Sequence, residues 1–117
     1  MARIPAATRD TVPSGQADAI DELLAGAGSV PLVGPGSIFW HDPKPQQAVT
    51  TLNQYLRNDS ALSNKILELT MLVTARENDC VYVWNAHAAS ARAAGVPDAV
   101  VGGLRDRRER TARAPDG

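Results

Sequence analysis

One cysteine, two histidines and five aromatic side chains are all that this chain of 117 residues has of those types, and its net charge is close to zero. Each shortage excludes something. A lone Cys80 leaves no intramolecular disulfide and no CxxC redox or zinc motif, and fits a reducing compartment, so a cytoplasmic protein is expected. His41 and His87 stand far apart and no HExxH occurs, so no metal is expected. A net charge of −1 argues against a nucleic-acid partner, which would need a basic excess on one face. No stretch approaches the roughly 20 apolar residues of a membrane span. Met1 to Pro13 also lacks the apolar core of a signal peptide, so no membrane partner is expected.

What is present suits a folded, helical chain. Apolar residues make up 44% and charged residues 21%, a balance that supports a core in a single small domain. Frequent alanine and few β-branched or aromatic residues favour closely packed helices over sheets. The expected architecture is all-α: one domain of about five helices over residues 14–106, after an extended lead-in over 1–13 and before an arginine-rich tail over 107–117. The first helix is expected from about Gln16 to Ala25. Ser29 to His41, punctuated by Pro31, Gly34, Pro35 and Gly36, is expected as an apolar loop packed across the helices. Asp42-Pro43 starts a second helix reaching Arg57, with Val49, Leu52 and Leu56 as its stripe. Ser63 caps a third, ending near Arg76, whose buried face is expected to be Leu62, Ile66, Leu69 and Val73. Asn78 and Asp79 offer a cap for a fourth, Cys80 to about Ala94, and Pro97 opens a fifth.

The third and fourth helices carry the residues with chemistry. Cys80, Trp84, His87 and Ala91 share a face about 60° wide at 100° per residue. On the third helix Glu68 lies among leucines, in one row with Leu72 and Ala75. A short turn between the two helices makes an antiparallel hairpin, which can set Glu68 opposite His87. A shielded carboxylate beside an imidazole is an acid–base pair; equally, it can be an internal hydrogen bond with no catalytic part. Cys80 stands two turns, about 10.5 Å, from His87, too far for a direct pair within one helix.

These residues give the chain a resemblance to a known family. Arg3-Ile4-Pro5, Val33-Gly34-Pro35, Glu68-Leu69-Thr70-Met71-Leu72, Tyr82-Val83-Trp84-Asn85-Ala86-His87 and Ala93-Ala94-Gly95-Val96-Pro97 together resemble the carboxymuconolactone decarboxylase family, which includes the alkylhydroperoxidase D-like proteins. The resemblance runs over about residues 3–106. It implies an all-helical domain assembled into trimers or hexamers. In the decarboxylase branch, the family's Glu and His fall on Glu68 and His87, acting in proton handling on a small carboxylated lactone. In the hydroperoxidase branch, two cysteines fall on Cys80 and Val83, so the second sulfur is missing here. The family's further helical residues are replaced by arginines, an expectation that another subunit closes an apolar face.

The resulting expectation is a cofactor-free lyase acting on a small carboxylated or lactone-like metabolite, with Glu68 and His87 moving the proton. Trp84, Tyr82, Trp40 and His41 are expected to line its substrate pocket. A thiol-dependent hydroperoxide reductase using Cys80 alone, and a non-catalytic oligomeric module, are the alternatives.

Overall fold

The computed structural model describes residues 3–107, and among them every regular element is helical. The elements are α1 (Ala17–Ala27), α2 (Gly36–Phe39), α3 (Pro43–Gln54) with a wider π turn over Tyr55–Asp59, α4 (Asn64–Glu77), α5 (Val81–Ala93) and α6 (Asp98–Arg105). Apart from Arg107, the expected arginine-rich tail lies outside the described residues. Length and composition pointed to one domain, whereas the packing gathers into two compact units, Met1–Ser60 and Ala61–Gly117. Each unit closes its own core.

In the first unit Ile20 and Leu23 of α1 pack with Ala7 and Trp40. The lead-in is non-helical but pinned, because Ala7 belongs to that core and the His41 Nε2–H donates to the Pro5 carbonyl at 2.9 Å. Arg9 pairs with Asp21. The start of α3 is satisfied from a distance: Gln16 Oε1 accepts the Lys44 backbone N–H at 2.9 Å, and its amide donates to Asp42 at 2.7 Å. That removes one of the orphan donors a helix start leaves.

Two expectations for this unit change. The segment Ser29–His41 contains the short helix α2 and buries Trp40, yet Leu32, Val33, Ile38 and Phe39 stay exposed. At Gly36, the first residue of α2, a Cβ would meet the Pro31 ring at 3.0 Å. The second expected helix also ends differently. Its α-helical part stops at Gln54, and the Ser60 N–H reaches back five residues to the Tyr55 carbonyl at 2.9 Å. This single wide turn is a π-type ending. Leu52 and Leu56 of the expected stripe are exposed.

The second unit is an antiparallel hairpin of α4 and α5 closed by α6. Ser63 caps α4 as expected, its hydroxyl accepting the Ile66 N–H at 3.3 Å. The buried row of α4 is Leu72 and Ala75, with Glu68 and Leu69 partly covered above them. Leu62, Ile66 and Val73 of the expected face are exposed. Leu72 joins Ala91, Val96 and Val101 in a core that Leu69, Trp84, Ala88 and Leu104 flank. Neither Asn78 nor Asp79 caps the start of α5; Asn78 closes α4 instead, its amide donating to the Thr74 carbonyl at 2.8 Å. Asp79 takes a left-handed φ of 50°, a conformation that aspartate tolerates better than most residues. Cys80 then occupies the N-cap position without a side-chain cap bond. Gly95, at φ 94°, makes the α5–α6 turn, a region closed to most side chains. The turn directs the Val96 N–H to the Ala91 carbonyl at 2.9 Å.

Candidate functional site

Glu68 sits in the middle of α4, one turn before the fully buried Leu72, so the row that carries Leu72 into the core also turns the carboxylate inward. His87 sits in the middle of α5, one turn before Ala91, which is likewise fully buried. The antiparallel hairpin brings the two rows together. His87 Nδ1 lies 2.8 Å from Glu68 Oε2. The side chains are 18% and 14% exposed respectively, so the pair is shielded without being sealed.

A carboxylate can only accept, so Nδ1 carries the hydrogen and donates it. That fixes the tautomer and leaves Nε2 as the basic ring nitrogen. A proton arriving at Nε2 makes an imidazolium whose charge the carboxylate balances.

Each of the other predicted residues is held within its own unit. Trp40 is 4% exposed in the core of the first unit, and His41 is tied to Pro5 in that unit, so both have structural employment there. Tyr82 is exposed on α5. Cys80 is half-buried at the head of α5, and its backbone carbonyl accepts the Trp84 N–H at 3.0 Å. A half-open cavity of about 230 Å³ is lined by Ala75, Arg76, Asp79, Cys80, Val81, Trp84 and Arg105. Another, of about 350 Å³, is lined by Thr70, Met71, Thr74, Ala75, Asn78, Cys80 and Val83. Trp84 thus faces a cavity whose walls include Cys80 rather than Glu68 or His87.

Three charged residues in this region escaped the reading of the sequence. Arg76 donates through Nε to the Leu104 carbonyl at 3.2 Å and through Nη1 to Asp79 at 2.9 Å, fastening α4 to α6. Arg107 also donates to Asp79, at 2.5 Å. The hydrogen bond from Arg105 to Asp106, and then the carboxylate's charge, raise the Arg105 guanidinium above its ordinary range. The available signal was the arginine in the last turn of α4 and of α6, where cations offset the negative end of the helix dipole; the dense arginine run after Leu104 concealed it. Among the described residues no three His, Cys, Asp or Glu side chains gather as a metal site, and no helix is long and apolar enough to cross a membrane.

With a helical hairpin holding a Glu–His pair in place, the comparison with protein families is specific. The model of the carboxymuconolactone decarboxylase family matches residues 43–115, more than half of the chain, and the chain belongs to that family. No curated protein and no solved structure matches it.

Proposed function

We propose that the chain is a cofactor-free, lyase-type enzyme of the decarboxylase kind, working in the cytoplasm on a small carboxylated or lactone-like metabolite. The observation that carries the reading is the 2.8 Å hydrogen bond between His87 and Glu68, shielded inside the hairpin of a chain of this family. Loss of CO₂ leaves an electron pair on carbon that must be met by a proton. His87 Nε2 delivers it, and Glu68 holds the ring in the required tautomer and balances the imidazolium in the preceding state. Partial burial strengthens both interactions relative to water.

A second reading has one specific observation in its favour: Cys80 stands at the head of a helix and opens onto two cavities. Its thiolate would attack the distal oxygen of a hydroperoxide, releasing an alcohol and leaving a sulfenic acid. Val83 supplies no second sulfur, so an external thiol would form a mixed disulfide with loss of water, and a second thiol would release Cys80. The test is a screen of small carboxylated lactones and β-keto acids for CO₂ release, beside hydroperoxide consumption with a small thiol. The lyase reading expects turnover in the first assay, unchanged within a few-fold by Cys80→Ser. Peroxide turnover that Cys80→Ser abolishes transfers the function to the cysteine, and silence in both assays leaves a non-catalytic module.

Assembly into a homo-oligomer, a trimer or hexamer, is part of the same proposal. Ile66 and Val73 form an exposed apolar row on α4, with exposed Leu62 just before its cap, the kind of surface that a second copy covers. Sedimentation at micromolar concentration is expected to give at least a dimer; a clean 12.4 kDa species would refute it.

A further inference from the structure

The smaller cavity lies where the end of α4, the start of α5 and the end of α6 meet, apart from the Glu68–His87 pair. Its walls divide by chemistry. Trp84 and Val81 offer apolar surface, whereas Arg76 and Arg105 bring two guanidinium groups. Asp79, also on the wall, is already engaged by Arg76 and Arg107, and Arg105 has Asp106. Among the described residues, three guanidinium groups stand against two carboxylates, which leaves one positive charge. Arg76 already donates from Nε to the Leu104 carbonyl and from Nη1 to Asp79, and Arg105 from Nε to Asp106, so a bound carboxylate would meet the remaining terminal N–H donors of the two guanidinium groups. An indole beside them favours a flat apolar body.

Size narrows the class. About 230 Å³ falls below the roughly 300–1,000 Å³ of sites for drug-sized ligands, although a cavity of about 150 Å³ holds benzene. One ring with one charged substituent fits that range.

We propose that this cavity binds a small organic monoanion, a carboxylate carried on a flat apolar body, with the carboxylate on Arg76 and Arg105 and the body against Trp84. The site is independent of any reaction at Glu68 and His87. Because Cys80 is the only cysteine of the chain and lines the cavity, its thiol reports occupancy.

The experiment measures the rate of Cys80 alkylation by N-ethylmaleimide, an uncharged reagent, at constant ionic strength. Benzoate is the probe and benzamide its neutral counterpart. Benzoate is expected to slow alkylation several-fold with saturation in the millimolar range, and to shift the Trp84 indole N–H resonance over the same range; benzamide is expected to do neither. Arg105 is mostly exposed, so Arg105→Gln should keep the fold while losing most of the benzoate effect, the protection in each protein being read against its own benzoate-free alkylation rate. If the thiol reacts too slowly to follow, the indole resonance decides alone. Absence of any benzoate effect, equal protection by benzamide, or full protection surviving in Arg105→Gln would each overturn the proposal.

Discussion

Glu68→Gln and His87→Ala are each expected to slow decarboxylation by about 10²–10⁴, the usual loss on removing a general acid or base. The double variant should be hardly slower than either. Two groups that move one proton through one hydrogen bond lose their effects together, so the deficits do not multiply. The 2.8 Å contact is what makes this strict: the amide left by Glu68→Gln can still accept Nδ1–H but has no charge to balance the imidazolium, and without His87 the carboxylate has no proton to govern. A purely structural pair predicts a different pattern. Removing one member then strands a shielded polar partner at about 1–3 kcal/mol, which thermal unfolding reads directly. Single variants that retain full turnover, or that only unfold earlier, would end the catalytic assignment.

Leu72→Ala is expected to remove about 2–5 kcal/mol of stability, the cost of truncating a buried leucine in a core that cannot collapse around the gap. Leu72 is fully buried among Ala91, Val96 and Val101. Ile66→Ala, at a residue 49% exposed, should change stability by no more than about 0.5 kcal/mol in the dissociated chain. In the proposed assembly the same change should lower the unfolding midpoint in a concentration-dependent way, because stability gained from a partner follows mass action. Chemical denaturation across a range of protein concentrations separates the two. An Ile66→Ala loss equal to that of Leu72→Ala at every concentration would place Ile66 in the chain's own core.

That contrast also marks the limit of what could be read from the sequence. The helix of which both residues are part was legible from Ser63 and from its apolar spacing, and the structure caps it at Ser63. Its inward face was not. The helix has two apolar rows, one through Ile66, Leu69 and Val73 and one through Glu68, Leu72 and Ala75, and periodicity ranks them by hydrophobicity. Packing chose the row with the smaller residues and the carboxylate, since Ala75 permits close approach and Glu68 finds His87. The meeting of those two side chains was legible because a short turn between helices leaves few ways to pack. The wide turn after Gln54 and the placing of Trp40 were not, as each depends on contacts distant in sequence. Trp40 stood in a segment punctuated by proline and glycine, where spacing carries no facing information. Arg76 was invisible for the same reason: its partner carbonyl on Leu104 belongs to a different helix.

Trp40 and Trp84 are the only tryptophans of the chain, and they fall one to each unit, Trp40 inside the core around Ile20 and Trp84 beside the core around Leu72. Each unit therefore carries its own intrinsic fluorophore. Variants retaining a single indole, with phenylalanine replacing the other, let the melting of the two halves be watched separately in the same full-length chain. Coinciding emission curves would mean that the halves lose their structure as one cooperative body, and displaced curves that each half has a stability of its own.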